Sequence, residues 1–126
     1  MDISKISVGQ KESFSINYKG GEIWIEHLDS IQNPADITEK FLRDLVQIKR
    51  PSTSSFIAIN FDESNVNADI LNFIIDALCK VDKPIRKVVI IGLKKELKKI
   101  VSKRKSEIPL VIKCIDDFEK AKEWLY

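Results

Sequence analysis

Short apolar runs of strand length, separated by stretches with helical periodicity, fill the second half of this chain. SFIAIN occupies residues 55–60, RKVVIIG occupies residues 86–92 and PLVIKCI occupies residues 109–115. Nearly continuous apolar runs of this length are typical of strands buried on both faces of a sheet. Because helices separate these strands, the pattern predicts parallel crossover connections and therefore an α/β fold.

An antiparallel hairpin is predicted ahead of the parallel strands. Phe14, Ile16 and Tyr18 alternate with polar residues, and a second β-rich run follows the pair Gly20-Gly21. Two glycines between such runs suit a tight turn, because the centre of the turn requires positive φ values. We expect strands near residues 12–18 and 22–28. Residues 1–11 leave open a short extra strand or a flexible tail.

Four further segments place apolar residues at helical spacing. Asn33 and Pro34 suit the N-cap and the first position of the first helix. Asp116 lies three residues before Glu119, which resembles a capping box at the start of the last helix. The predicted buried stripes are Ile37, Phe41, Leu45 and Ile48; Ile70, Phe73, Ile74, Ala77, Leu78 and Val81; Leu93, Leu97, Ile100 and Val101; and Phe118, Ala121 and Leu125, with Trp124 beside them. The predicted order is ββαβαβαβα in a single domain over residues 1–126.

Size and charge restrict the function classes. A chain of 126 residues supports one core, and its net charge of +2 provides no general attraction to nucleic acids or membranes. Neither a secretory signal nor a transmembrane run is present in the sequence, so we expect a cytoplasmic protein. Cys79 and Cys114 are then expected to be reduced thiols. His27 is the single histidine, so a histidine-containing zinc site or a serine–histidine catalytic arrangement is not expected.

The element order and the ending DDFEKAKEWL together resemble the STAS superfamily, in particular its compact bacterial SpoIIAA-like branch, also described as STAS/SEC14-like. Phe118, Ala121, Trp124 and Leu125 match the aromatic or leucine and "EA-x-x-WL" pattern with which members of that branch finish. The resemblance covers residues 12–126. It implies a small mixed sheet with helices mostly on one side, and a role in binding and regulation rather than turnover.

The family's phosphoregulated members carry an Asp-Ser-Ser/Thr-Gly-Leu box at the start of the helix after the central strand, and phosphate on its serine changes partner binding. This chain departs from the box, because its corresponding segment is SNVNADIL and residues 65–101 contain no serine or threonine. Ser64 is the only nearby hydroxyl and precedes the expected cap. We favour the interpretation that Asn67 caps the helix and Asp69 interacts with its dipole. A constitutive imitation of the phosphorylated state by Asp69 stays open.

We therefore predict a non-catalytic regulatory or protein-interaction module without cofactors. The expected interaction surface is the loop after the central strand together with the following helix start, and it consists of Asp62, Glu63, Ser64, Asn65, Asn67 and Asp69. Asp62 and Glu63 can also be interpreted as a metal or acid/base pair. Polar residues are common after a strand, however, so the structural interpretation is favoured.

The third helix has a basic face, formed by Lys94, Lys95, Lys98 and Lys99 and continued by Lys103, Arg104 and Lys105. It suits an acidic partner, a phosphorylated headgroup or a membrane surface, but a solvated amphipathic face is the simpler interpretation. Nucleic acid is not expected, because the segment lacks interleaved aromatic residues and the net charge is small.

Two other functions remain as alternatives. A small-molecule or lipid-binding domain of the STAS/SEC14-like type requires an apolar pocket between sheet and helices, near Trp24 and Phe41. An enzyme ranks last, because the sequence has no glycine-rich phosphate loop and no nucleophile–base or metal-ligand spacing. Homodimer formation and partner identity stay open.

Overall fold

A computed structural model describes residues 10–126. The elements are β1 (Phe14–Tyr18), β2 (Gly21–His27), α1 (Pro34–Ile48), β3 (Phe56–Asn60), α2 (Ala68–Cys79), β4 (Lys87–Ile91), α3 (Lys95–Arg104), β5 (Ile112–Cys114) and α4 (Phe118–Leu125). This order confirms the predicted ββαβαβαβα arrangement. The open question about residues 1–11 concerns mainly residues 1–9, which lie outside the described residues; residues 10 and 11 are not in a strand.

The five strands form one mixed sheet in the order β1-β2-β3-β4-β5. β1 is antiparallel to β2, whereas β2, β3, β4 and β5 run parallel to one another. Tyr18 pairs with Gly21, so Lys19 and Gly20, rather than the predicted pair Gly20-Gly21, form a two-residue turn with φ values of 49° and 81°. Two positive φ values in succession characterise the hairpin turn that fits the twist of antiparallel strands.

The two faces of the sheet are covered unequally. Each parallel crossover advances by one strand in the same direction, so the three crossover helices pack on one face. That face contributes Trp24, Ile57, Ile59, Val88, Ile90 and Ile112 to a core with α1, α2 and α3. The other face contributes Ile23, Ile25, Ala58, Val89 and Ile91 to a smaller core with Ala121 and Leu125 of α4. Helices therefore lie mostly on one side, as the family resemblance implied.

The buried stripes of the helices differ from the prediction at a few positions. In α2, Phe73 is 41% exposed, while Leu71 and Ile75 are buried. The predicted stripe was wrong at Phe73 because this ring lies edge-on to Phe41 of α1, with 6.4 Å between ring centroids, at the border of the core. Four other members of the predicted stripes are only half-buried, namely Ala77, Val81, Ile100 and Phe118.

Two predicted element boundaries also change. β5 covers only three residues, because residues 108–110 form bends and the pairing with β4 begins at Ile112. The cap of α4 is Asp117, whose side chain accepts a hydrogen bond from the Lys120 backbone N–H at 3.0 Å. Asp116 is not the cap because its carboxylate binds Lys98 and the backbone N–H of Gly92.

Candidate functional site

The carboxyl ends of the four parallel strands meet at one edge of the sheet. β2 ends at His27, β3 at Asn60, β4 at Ile91 and β5 at Cys114. The loops that follow these strands therefore lie side by side, which is the usual position of binding sites in α/β proteins. The predicted interaction surface belongs to the second of these loops, the β3–α2 loop (residues 61–67).

Hydrogen bonds to neighbouring segments fix the backbone of the β3–α2 loop. The Ser30 N–H donates to the Asp62 carbonyl at 2.8 Å, and the Asn65 N–H donates to the Ile31 carbonyl at 2.9 Å. The Gln32 side-chain amide donates to the Glu63 carbonyl at 2.7 Å. Because three residues of the loop are hydrogen-bonded to the segment between β2 and α1, its conformation is set before any partner binds.

Two buried side chains anchor the same loop to the larger core. Phe61 is 1% exposed and Val66 is 7% exposed, and both belong to the larger core. Glu63, between them, has a φ of 54°, a left-handed conformation that is uncommon for residues other than glycine. The apolar side chains anchor the loop to the core, while most of its polar side chains are exposed.

Five of the six predicted interaction residues are exposed. They are Asp62, Glu63, Asn65, Asn67 and Asp69. Ser64 differs, because its hydroxyl oxygen is buried and has no hydrogen-bond partner among the described residues. A kinase cannot reach this oxygen in the described conformation, so Ser64 does not replace the missing phosphoacceptor unless the loop opens.

The start of α2 agrees with the structural interpretation of the sequence. The Asn67 side-chain oxygen accepts a hydrogen bond from the Ile70 N–H at 2.9 Å, and Asp69 lies in the first turn. An amide cap and an early carboxylate both stabilise the positive end of the helix dipole. The predicted N-cap is therefore confirmed.

Gly92 lets the β4–α3 connection approach the β3–α2 loop closely. Its φ is 83°, and a Cβ at this position would lie 2.6 Å from the Asp62 backbone nitrogen. A side chain therefore meets both an unfavourable backbone conformation and a steric clash. The sequence prediction used Gly92 only as the end of a strand and missed this contact.

Acidic residues from three loops converge at this edge, and we call Asp29, Asp62, Glu63 and Asp116 the acidic rim. Partial burial and the charges of Asp29, Asp116 and Glu63 raise the pKa of Asp62 above its ordinary value. The pKa of Asp116 is lowered instead, first by the hydrogen bond from Lys98. The rim therefore concentrates negative charge around Asp62.

Asp29 is the buried member of the acidic rim. It is 3% exposed, and it binds the Lys11 ammonium at 2.9 Å and Nδ1 of His27 at 2.8 Å. Burial opposes its ionisation, but the hydrogen bonds from Lys11 and His27 outweigh burial and hold the pKa of Asp29 below its ordinary value. His27 is therefore half of a hydrogen-bonded pair, which the sequence did not reveal.

A buried polar cluster, which the sequence analysis also missed, lies between β2 and α1. It consists of Ser13, Trp24, Glu26, Lys40 and Asp44. Glu26 is fully buried and accepts from the Trp24 indole N–H at 2.9 Å. Its carboxyl also forms a hydrogen bond with the Asp44 carboxylate. Burial, followed by the hydrogen bond and charge of Asp44, raises the pKa of Glu26 well above its ordinary value, which favours the neutral form of this carboxyl.

Lys40 and Asp44 are the members of the buried polar cluster that α1 contributes. Lys40 is 4% exposed and donates to Asp44 at 2.7 Å and to the Ser13 hydroxyl at 2.8 Å. Two features of the sequence could have indicated this cluster. Glu26 alternates with Trp24 along β2, and Lys40 and Asp44 are four residues apart beside the buried stripe of α1.

Most of the predicted basic face of α3 is exposed. Lys94, Lys95 and Lys99 are exposed, whereas Lys98 binds Asp116 at the acidic rim. Lys103 and Lys105 are also exposed, and Arg104 contacts Asp76 of α2. The basic face is therefore solvated over most of its length, and one end of it neutralises part of the rim.

Three of the surface pockets among the described residues have volumes of about 250 to 330 Å³. Neither Trp24 nor Phe41, where the lipid-binding hypothesis expects a pocket, lines any of them; both side chains are buried in the larger core. Residues 10–126 include no group of three or more histidine, cysteine, aspartate or glutamate side chains arranged to hold a metal ion. In the same residues, no helix is long and apolar enough to cross a bilayer.

Comparison of the chain with protein-family models, with curated proteins and with solved structures finds no match. The resemblance to the STAS superfamily therefore stays a prediction, and the site is interpreted from its own geometry.

Proposed function

We propose that this chain is a non-catalytic regulatory module that binds a protein partner through the β3–α2 loop and the start of α2. The observation that supports the proposal most is a fixed backbone that carries exposed acidic side chains. Hydrogen bonds to Ser30, Ile31 and Gln32 hold the loop, while Asp62 and Glu63 remain exposed. A loop that is ordered in advance loses little conformational freedom on binding, which favours affinity.

The charge of the loop suggests the chemistry of the partner. Asp62 and Glu63 form no ion pair with any described residue, and the charges of Asp29 and Asp116 lie near Asp62. A lysine- or arginine-rich surface would relieve this repulsion and would be attracted over a Debye length of about 8 Å at physiological ionic strength. We therefore assign the loop a basic protein surface as its partner.

A charge-neutralising variant tests this function. The partner is first recovered by affinity capture on the immobilised chain, and its Kd is then measured with purified components. We expect Asp62→Asn, Glu63→Gln and Asp69→Asn together to weaken binding at least tenfold and to reduce its salt dependence. The matched control, Asp82→Asn, Glu107→Gln and Glu123→Gln, changes the net charge equally at exposed positions away from the loop. Equal affinities of the loop variant and the unaltered chain would contradict the proposal.

A further inference from the structure

The sheet has an open edge at β5. β5 is the last strand in the order and pairs only with β4. The Val88 N–H donates to the Val111 carbonyl at 2.8 Å, and the Ile115 N–H donates to the Ile90 carbonyl at 3.0 Å. In a parallel ladder this register turns the backbone groups of every second residue toward the neighbouring strand. Ile112 and Cys114 therefore direct their N–H and C=O groups away from β4, toward the open edge.

A basic groove runs along this edge. A pocket of about 250 Å³ between α3 and β5 is lined by Lys98, Lys105, Lys113, Ser102, Ile112 and Cys114, together with Val101. Lys105 and Lys113 are exposed and form no ion pair with a described residue. Residues 94–113 contain eight lysine and arginine residues and only two glutamates. The groove therefore combines unpaired backbone groups with a positive field.

An exposed apolar side chain, Val111, lies at the same edge on the other face of the sheet. The side chains of Ile112 and Cys114 face the larger core, so Val111 and Lys113 face the side that carries α4. α4 packs against β3 and β4, and Val111 remains 51% exposed. A strand placed beside β5 would cover Val111 with one of its own side chains.

We propose that the β5 edge binds an extended, acidic segment of a partner protein as a sixth strand of the sheet. Backbone hydrogen bonds to Ile112 and Cys114 provide affinity, and carboxylates of the segment pair with Lys105 and Lys113. Addition of a peptide strand to an exposed edge is a recognised mode of peptide binding. This surface is separate from the β3–α2 loop, so it adds a second contact to the proposed function.

Charge selects the acidic segment over a second copy of the chain. Two β5 edges placed side by side would bring the lysines of both copies together, and like charges across paired strands are destabilising. Lysines on edge strands commonly prevent such self-association. The same charges attract an acidic segment, so one feature both excludes the copy and favours the partner.

The probe is a fluorescein-labelled peptide of glutamate residues with one central valine, which places glutamates on both faces of an added strand, and fluorescence anisotropy is the readout. We expect saturable binding that weakens at least tenfold in the Lys105→Glu, Lys113→Glu double variant. The matched control, Lys94→Glu with Lys95→Glu, makes the same charge change at the far end of α3 and is expected to alter the Kd less than threefold. The same peptide with every backbone amide N-methylated keeps its charges and is expected not to bind.

Hydrogen exchange on the unaltered chain gives a second, independent readout. Peptide binding is expected to slow exchange of the Ile112 and Cys114 amides. Three results would overturn the proposal: unchanged exchange at both amides, equal binding of the N-methylated peptide, or equal losses in the two double variants. Self-association through β5, or displacement of the peptide by a thymidine oligonucleotide without protection of these amides, would instead assign the edge to a second copy or to nucleic acid.

Discussion

Asn67 is the residue at which the β3–α2 loop ends and α2 begins. Its side-chain oxygen satisfies the Ile70 N–H, which would otherwise have no partner within the helix. The same residue is exposed on the proposed interaction surface. One side chain therefore fixes the position of the loop and forms part of the surface that the loop presents.

Replacement of Asn67 separates the capping role from the surface role. We expect Asn67→Ala to lower the free energy of unfolding by about 1 kcal/mol, because the cap is lost. Asn65→Ala is the matched control, since Asn65 is exposed in the same loop and lies before the cap; it should change stability by less than about 0.5 kcal/mol. Urea unfolding of both variants measures the difference. Equal effects would contradict the capping role.

Glu26 makes stability depend on pH. Its folded pKa lies well above the value of 4.5 expected in the unfolded chain. The folded protein therefore holds a proton that unfolding releases, so the contribution of Glu26 to stability is complete below that unfolded pKa and declines as pH rises toward the folded pKa. Asp44 and Lys40 are the charged groups that face it.

We expect Glu26→Gln to remove this decline, because the amide stays neutral and can still accept from the Trp24 indole. The free energy of unfolding of the variant should fall less between pH 5 and pH 8 than that of the unaltered chain. Glu22→Gln, an exposed change on the same strand, is expected to retain the original slope. Urea titrations at four pH values provide the comparison, and parallel curves for all three proteins would refute a neutral Glu26.

At the scale of elements, the connection after β4 controls the shape of the loop after β3. Gly92 places its backbone against Asp62 with a positive φ, whereas Gly20 in the hairpin turn has a similar φ and open space where a Cβ would lie, with no atom within 4 Å. The two glycines therefore share a positive φ and differ in crowding. Comparing them isolates the effect of the close approach.

We expect Gly20→Ala to cost about 1 to 2 kcal/mol, the usual penalty for a left-handed conformation. Gly92→Ala should cost at least about 1 kcal/mol more, because its Cβ also overlaps the β3–α2 loop. This overlap should displace the β3–α2 loop, so the Gly92→Ala variant should bind the partner more weakly. The Gly20→Ala variant should bind it as the unaltered chain does. Thermal unfolding and the Kd of the recovered partner measure both effects, and similar values for the two variants would contradict the close contact.

The sequence predicted the features that depend on neighbouring residues. It did not predict the contacts that arise when the strand order brings distant loops together. The element order, the hairpin and the caps at Asn33 and Asn67 all depend on neighbouring residues and are confirmed, although the turn is one residue earlier than predicted. The acidic rim was only half predicted, because Asp29 and Asp116 reach Asp62 through the order of the strands. The exposure of Phe73 likewise depends on how α2 packs against α1.

At the scale of the whole molecule, one short helix, α4, packs on the face of the sheet opposite the three crossover helices. Leu125 of α4 is 1% exposed and packs in the smaller core, whereas Leu42 of α1 is 46% exposed. Tyr126 extends this cover to the hairpin, because its hydroxyl donates to the Glu22 carbonyl at 2.7 Å. The smaller core therefore depends on few side chains.

We expect Leu125→Ala to destabilise the protein by about 2 to 5 kcal/mol, the range for large-to-small changes in a core. Leu42→Ala removes the same atoms from an exposed site and should cost less than about 1 kcal/mol. Urea unfolding compares the two variants. A small effect of Leu125→Ala would mean that α4 contributes little to the fold.

The contact between Tyr126 and Glu22 joins residues 104 positions apart in the chain. During synthesis, the hairpin and the parallel strands leave the ribosome before residues 118–126 do. The apolar side chains of Ile23, Ile25 and Val89 therefore stay uncovered until α4 forms, and in that interval they are open to chaperones and to association with other nascent chains. Changes that weaken α4 should consequently reduce the yield of folded protein in cells more than its equilibrium stability alone would indicate.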